Sequence, residues 1–165
     1  MQKKKKVKIA LIILAIWLII GHLSTYKVAK EIEEIILNRH IIYLAYDPGY
    51  QQAMTKRGEE MKAERDYEIE YILVPAKEVN YNLNVYFNIC AQYCYSSSDQ
   101  IFADVDPIFT VYGLLGKTSY VRYSYIVRDK DGNGRCAARG IVLRIRYIWK
   151  DHAWKVVSIN DISGA

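Results

Sequence analysis

A block of lysines followed directly by an uninterrupted apolar run opens this chain and limits how it can fold. Five lysines lie within the first eight residues, and the next twelve residues, Ile9 to Ile20, carry no polar side chain. A buried core helix does not fit this arrangement, because burying the helix would also take the flanking lysines out of water. The pattern therefore predicts a membrane anchor.

The anchor is long enough to span a bilayer once. From Ile9 to Tyr26 there are 18 residues, and a helix of that length covers about 27 Å, close to the thickness of the hydrocarbon core. The lysines keep the N-terminal side in the cytoplasm by the positive-inside rule. We expect a cytoplasmic basic tail at residues 1–8, a transmembrane anchor at 9–26, and a domain outside the cytoplasm at 27–165.

A cleaved signal peptide is the alternative interpretation, since a basic region before a short apolar region has the same shape. Cleavage needs small residues at two positions, and the candidates ending at Gly21 and Ala29 each supply only one of them. No cysteine before Cys90 is present to accept a lipid. We therefore expect a single-pass protein of the plasma membrane, with secretion after cleavage as the alternative.

The positive charge of the chain lies in its tail. The formal net charge is +5, and after the five N-terminal lysines the remaining 18 Lys and Arg residues are balanced by 18 Asp and Glu residues. A domain without a basic excess lacks the electrostatic surface that nonspecific nucleic-acid binding requires. We expect no nucleic-acid partner.

Hydrophobic spacing in the first half of the domain predicts two helices and two strands. Helical spacing from Tyr26 to Tyr46 predicts a helix that continues the anchor, and Asp47 followed by Pro48 predicts the start of a second helix. Alternating apolar residues predict strands at 67–74 and 79–91, although a helical spacing is also present in the second of these.

The last third of the chain predicts a meander of long antiparallel strands. Asp106 and Pro107 are typical of a helix start and predict a short helix ending near Gly116, although the β-branched content leaves a strand open. Three strands follow, at Ser119–Arg128, Ala138–Lys150 and Trp154–Asn160. The predicted fold class is α+β, with helices packed on a curved antiparallel sheet behind the anchor.

The two faces of this meander differ in chemistry. Alternation puts aromatic and aliphatic residues on one face and arginines on the other. Tyrosine-rich surfaces suit recognition, and guanidinium groups suit carboxylates or phosphates, while a solvated outer face is the simpler explanation of the arginines. The candidate binding residues are Tyr123, Tyr125, Tyr147, Trp149, Arg122, Arg144 and Arg146.

The patterns for metal binding and catalysis are incomplete. The segment from Asp129 to Gly134 matches the first half of a calcium loop, but Gly140 occupies the position of the bidentate glutamate, so a hairpin turn is favoured. The three histidines are scattered along the chain and lie near no recognisable nucleophile. We expect no metal, no cofactor and no catalytic residue.

The cysteines form an odd set. Cys90, Cys94 and Cys136 lack the neighbouring histidines of a zinc site. Outside the cytoplasm, Cys136 could form a disulfide with Cys90 or Cys94, and small buried thiols are the alternative.

The order helix, helix, strand pair, helix and three long antiparallel strands resembles the nuclear transport factor 2-like superfamily. The likeness is carried by the last 46 residues, in the segments Tyr123–Val127, Asp131–Gly132, Gly140–Trp149 and Trp154–Ile159. The resemblance implies a curved sheet that wraps a long helix into a cone with a pocket. Membrane-anchored members with a short cytoplasmic tail include assembly components of type IV secretion and conjugation machines, which implies protein partners in the cell envelope.

Two roles follow as expectations. The first is a binding or assembly domain without turnover, joined to envelope proteins or to further copies of itself. The alternative is a small cone-pocket enzyme or a carrier of a hydrophobic ligand. For the enzyme, the resemblance to ketosteroid isomerase-like members implies an acid and a tyrosine in the cone, and the loose equivalents in type are Asp104, Asp106, Tyr123 and Tyr125.

Overall fold

The computed structural model describes residues 2–37, 41–46, 70–91 and 99–164. Within these residues, the first two strands form a separate parallel pair, and the last four form an antiparallel sheet in chain order. The α+β class predicted from the sequence is confirmed, and the helix predicted from Asp47 lies outside the described residues. In chain order the elements are α1 (Gln2–Leu37), β1 (Ile41–Tyr46), β2 (Glu70–Pro75), α2 (Ala76–Val79), α3 (Leu83–Ala91), β3 (Gln100–Tyr112), β4 (Gly116–Arg128), β5 (Gly134–Lys150) and β6 (Ala153–Asp161).

Helix α1 passes through two environments without a break. Every side chain from Lys6 to Ile20 is exposed. The helix from Lys6 to Leu37 is long and apolar enough to cross a membrane, a property that anchors and signal sequences share. In the second half, Val28, Ala29, Ile32 and Ile36 are at most 4% exposed and belong to the core. The predicted continuity between the apolar segment and the domain helix is therefore confirmed.

The predicted extension of this helix to Tyr46 is wrong. Helix α1 ends at Leu37, and Ile41–Tyr46 is strand β1, paired in parallel with β2 so that Ile41 lies opposite Glu70. The segment consists of β-branched, aromatic and aliphatic residues without a polar position, a composition that favours a strand over a helix with one wet face. The strand predicted at 67–74 is confirmed from Glu70 onward in β2, and its first three residues lie outside the described part of the chain.

The strand predicted from Val79 to Ala91 is also wrong, because this segment is helical. Leu83, Val85 and Phe87 are all buried, and this alternation is also what a strand would show. In α3 the alternate positions are buried because the helix contacts both α1 and β1. Asn82 starts the helix, since its Oδ1 accepts hydrogen bonds from the backbone N–H groups of Asn84 (3.0 Å) and Val85 (3.3 Å). A helix buried on two sides does not show a single apolar stripe.

The short helix predicted from Asp106 to Gly116 is replaced by strand β3. This strand pairs with β4 along its whole length, and its register shifts between Pro107 and Phe109. A bulge accommodates a proline that cannot donate a ladder hydrogen bond. The strand that the β-branched residues left open as an alternative is therefore observed. The three closing strands predicted from the sequence are confirmed as β4, β5 and β6.

The inner face of the sheet carries the core. Val121 lies opposite Leu143, and both are fully buried, while the neighbouring Arg144 and Arg122 are exposed on the outer face. The register of β4 with β5 shifts between Tyr123 and Tyr125, which marks a bulge in the sheet. The core joins four apolar residues of α1, two of α3 and six of the sheet: Val28, Ala29, Ile32, Ile36, Leu83, Phe87, Val121, Tyr123, Leu143, Ile145, Tyr147 and Ile159.

A chain of buried hydroxyl groups fastens α1 to the sheet. Thr25 Oγ1 donates to the carbonyl oxygen of Gly21 at 2.8 Å and lies 2.7 Å from Thr110 Oγ1, which in turn lies 2.8 Å from Ser119 Oγ. A Cβ on Gly21 would lie 2.8 Å from the carbonyl oxygen of Thr110, so the close approach of helix and strand depends on glycine. The contact fixes the end of the apolar segment against β3 and β4.

Candidate functional site

A groove of about 750 Å³ lies where the apolar half of α1 meets the sheet. One wall is α1 from Ile20 to Glu31, and a second is the start of α3 with the preceding Tyr81. The floor comes from the sheet end nearest the β3–β4 turn, with Tyr112, Lys117, Tyr147 and Trp154. The groove is thus built from α1, α3 and the sheet, which the hydroxyl chain and the core hold together.

Lys117 is the central charged residue of the groove. It lies opposite Tyr112 on β3 and opposite Tyr147 on β5, and cross-strand partners share a face of the sheet. Its Nζ donates to Ser24 Oγ at 3.0 Å and lies 4.8 Å from the centre of the Tyr147 ring and 5.1 Å from that of Trp154. Such contacts hold an ammonium group over the electron-rich faces of aromatic rings.

The ammonium group of Lys117 is held in unfavourable surroundings. Burial lowers its pKa from the ordinary value of 10.5, and the nearby Lys27 lowers the pKa further, while the Glu31 carboxylate acts in the opposite direction. Lys155 also lines the groove. Three lysines and one glutamate leave a positive balance, so an anion entering the groove would relieve the repulsion.

Tyr147 contributes a hydroxyl group whose hydrogen bonding is unmet. The residue is only 6% exposed, and within the described ranges its hydroxyl has no hydrogen-bond partner. Burial, together with the Glu31 carboxylate, raises its pKa above the ordinary value of 10.0, so this group stays protonated and can donate a hydrogen bond. Buried polar groups are usually paired, and an unpaired one in a groove wall marks a place for a ligand atom or a water.

Lys117 and Tyr147 meet because of one glycine. A Cβ on Gly116 would lie 2.5 Å from the carbonyl oxygen of Tyr147, so a larger residue there would push β4 away from β5. Asn82 closes the opposite wall by capping α3, which brings Leu83 and Asn84 to the groove. The site therefore depends on local backbone features as well as on the lining side chains.

The candidate aromatic residues named from the sequence are separated by the structure. Tyr147 lines the groove, but Tyr123 is in the core, where its ring meets Phe87 edge-on at 5.1 Å and stacks with Tyr125 at 6.4 Å. Trp149 is exposed at the sheet end, against Trp154 at 5.2 Å. Whether any of them binds a partner stays a prediction.

The candidate arginines are on the opposite face of the sheet from the groove. Arg122 forms an exposed ion pair with Asp106, with 2.7 Å between Nη2 and Oδ2. Arg144 and Arg146 are exposed beside each other along β5. The structure thus divides the seven named residues between the core, the groove, the sheet end and the outer face.

The segment from Asp129 to Gly134 forms the turn between β4 and β5. Oδ1 of Asp129 accepts hydrogen bonds from the backbone N–H groups of Asp131 and Asn133 at 3.0 and 2.9 Å. These bonds hold the pKa of the Asp129 carboxyl below its ordinary value. Nowhere in the described ranges do three or more His, Cys, Asp or Glu side chains gather in a group that could hold a metal ion.

Cys136 takes part in a disulfide bond. The residue is in β5, directly opposite Val127. The side chains of Cys90 and Cys94 lie outside the described residues. Of the two alternatives that the sequence leaves, a disulfide or small buried thiols, the structure therefore has a disulfide at Cys136.

Sequence reasoning missed most of the groove. Lys117, Lys27 and Glu31 were not named, because each comes from a different element and no spacing links them. One signal was available: Tyr26–Lys27, Trp149–Lys150 and Trp154–Lys155 each place an aromatic residue beside a lysine, a pairing typical of residues at a membrane surface. Two of these lysines, Lys27 and Lys155, line the groove.

Comparisons of the chain with protein-family models, with curated proteins and with solved structures found no match. The function is therefore argued from the chemistry of the groove and its place beside the apolar helix.

Proposed function

We propose that the chain is a single-pass membrane protein of the cell envelope whose domain, outside the cytoplasm, binds an amphiphilic ligand in the groove. The ligand has an anionic head and an apolar tail. The proposal rests above all on two residues of the groove lining: Lys117, whose ammonium group lies over the Tyr147 ring, and Tyr147, whose hydroxyl has no hydrogen-bond partner within the described ranges.

The head of the ligand fits the polar part of the groove. An anion beside Lys117 gains charge-assisted hydrogen bonds, and the Tyr147 hydroxyl donates a further one. Lys27 and Lys155 add positive charge at the edge. A cationic head would instead add to the repulsion that already lowers the pKa of Lys117.

The tail fits the apolar part. Ile20 and Leu23 line the groove, and both belong to the segment that we assign to the membrane anchor. An amphiphile from the bilayer reaches the groove along this helix without crossing water. This location supports a ligand drawn from the membrane over a soluble polar metabolite.

The topology and the finer fold belong to the same proposal. The N-terminal lysines support a cytoplasmic tail. The incomplete cleavage motifs at Gly21 and Ala29 support an uncleaved anchor in the plasma membrane. A long helix packed on a four-stranded antiparallel sheet is in keeping with the nuclear transport factor 2-like cone. We expect binding without turnover.

Assembly with other envelope proteins, as in a secretion or conjugation machine, is the second candidate. Its support is the outer face of the sheet, where Phe102 and Phe109 are exposed together with Arg144 and Arg146. Phe109 stacks on Tyr120 at 4.4 Å, which extends the apolar surface. Aromatic residues beside arginines are typical of protein interfaces. This role uses a different face and is compatible with ligand binding.

The test is a titration of the full chain in phosphatidylcholine nanodiscs with octyl phosphate and with octylphosphocholine, followed by calorimetry against empty nanodiscs. We expect binding of octyl phosphate, preferred over octylphosphocholine. Lys117→Ala should weaken it about tenfold or more, since a hydrogen bond to a charged group contributes roughly 1.5–3 kcal/mol.

The matched control is Lys130→Ala, which removes an exposed lysine in the β4–β5 turn at the other end of the sheet. Its affinity for octyl phosphate should equal that of the unmodified chain. Equal weakening by both variants would show only an effect of general positive charge. An unchanged affinity in Lys117→Ala would contradict binding of the ligand in the groove.

A further inference from the structure

The turn between β3 and β4 exposes two leucines at its tip. Leu114 and Leu115 have relative exposures of 104% and 86%, and the turn is closed by a hydrogen bond of 2.8 Å from the backbone N–H of Gly113 to the carbonyl oxygen of Gly116. Turn tips that face water usually carry polar residues, Gly or Pro. Two adjacent leucines in full contact with solvent therefore call for a covering surface.

The length of the anchor indicates which surface this is. The exposed apolar run from Ile9 to Ile20 covers about 18 Å, roughly 12 Å less than the hydrocarbon core of a bilayer. The anchor must therefore continue through residues 21–26. Within that stretch Gly21 and Thr25 already pack against Thr110 on β3. The contact at Thr110 consequently lies at the level of the outer membrane boundary.

The strands run from this level toward the bilayer. Sheet residues deep in the core, such as Val121 and Leu143, cluster with α1 from Val28 onward, whereas Thr110 and Tyr112 lie near its residues 20–25. Moving along β3 toward its turn therefore means moving along α1 toward its apolar half. Leu114 lies four residues beyond Thr110, about 13 Å of extended chain.

The residues around the turn have the composition of a membrane interface. Trp149 and Trp154 are in ring contact at 5.2 Å, and Tyr112 approaches Trp154 at 6.1 Å. The adjacent β5–β6 turn adds Lys150. Tryptophan and tyrosine concentrate at the headgroup level of membranes, and lysines nearby attract anionic lipids.

We propose that the β3–β4 turn inserts Leu114 and Leu115 into the outer leaflet of the bilayer that α1 crosses, with Trp149, Trp154 and Tyr112 at the boundary between headgroups and acyl chains. This inference rests on the proposed membrane anchor. Insertion gives the domain a second contact with the membrane besides α1, which fixes the rotation of the domain about the helix. It also sets the groove, which shares Tyr112 and Trp154 with this surface, at the depth of lipid headgroups.

Photo-crosslinking of the full chain in liposomes of phosphatidylcholine and phosphatidylglycerol tests the inference. Three variants each carry p-benzoylphenylalanine at one position: in place of Leu115, of Trp17 in the apolar segment, or of Lys130 at the far end of the sheet. After irradiation, intact-mass spectrometry identifies adducts. We expect lipid adducts at positions 115 and 17 and none at 130. The exposed turn tolerates the new side chain, because the Leu115 side chain is 86% exposed.

The outcomes separate this inference from the proposed anchor. Lipid adducts at position 17 without any at 115 would leave the anchor in place and overturn the insertion. No lipid adduct at 17 would remove the anchor and the insertion together. A crosslinked dimer at 115 in place of a lipid adduct would show that a second copy of the chain covers the leucines, which also overturns the inference.

Discussion

Tyr147 carries a hydroxyl group that is buried in a groove wall and has no hydrogen-bond partner within the described part of the chain. Leaving a buried polar group unpaired costs roughly 1–3 kcal/mol of stability. Lys117, directly opposite on β4, is held with a lowered pKa beside the same ring. An unpaired buried hydroxyl beside a partly buried ammonium group is better explained by a ligand than by the needs of folding.

Replacing Tyr147 by phenylalanine separates these explanations. In the ligand-free protein, Tyr147→Phe should leave the free energy of unfolding unchanged or raise it by about 1 kcal/mol, because the unpaired hydroxyl is gone and the ring remains. The affinity for octyl phosphate should fall. Urea unfolding monitored by tryptophan fluorescence, together with the same calorimetric titration, measures both effects.

A loss of stability in Tyr147→Phe would mean that the hydroxyl already has a structural partner, and the ligand argument would lose its main support. The control is Tyr120→Phe, at a half-exposed position on the outer face of the sheet. That variant should change neither stability nor affinity by more than about 0.5 kcal/mol.

At the scale of elements, α3 shows what alternation can and cannot reveal. Leu83, Val85 and Phe87 are buried at every second position, which is the pattern of a strand, yet α3 is covered by α1 and by β1 on different sides. The local signal that decides the matter is Asn82, a residue favoured at helix starts. The strands β4 to β6 were predictable because one face of each is buried and the other carries charged residues.

The cap of α3 can be tested directly. Asn82→Ala should destabilise the domain by about 1 kcal/mol, because the N–H groups of Asn84 and Val85 lose their acceptor. Asn82→Asp retains a side-chain oxygen and should stay close to the unmodified stability. Thermal unfolding of the full chain in nanodiscs gives the comparison, and equal losses in the two variants would argue against a cap.

Over the whole molecule, the long apolar helix was easier to predict than the groove. The N-terminal lysines and the apolar run are contiguous, so hydropathy alone indicates a membrane segment, and the structure adds that α1 continues into the core. The groove instead combines α1, the start of α3 and four strands, and its residues come together only through the pairing of Tyr112, Lys117 and Tyr147 across β3, β4 and β5. Contacts between residues so distant in sequence leave no local pattern.

In the proposed function, the domain lies outside the cytoplasm and is fastened to the membrane by an intact helix. Any ligand or envelope partner would meet the domain on that side of the membrane. The orientation of the chain therefore decides between the proposed function and its alternatives. An uncleaved anchor predicts that the chain stays in the membrane. The N-terminal lysines predict that its domain is accessible from outside.

The most direct measurement is protease treatment of right-side-out membrane vesicles that carry the full chain, followed by intact-mass spectrometry of the membrane-bound and released material. The account predicts an untreated membrane-bound chain of 19.2 kDa whose domain is digested from outside, leaving a protected N-terminal fragment that contains residues 9–20. A shorter chain lacking the apolar segment in the untreated sample, or a domain protected from external protease, would contradict it.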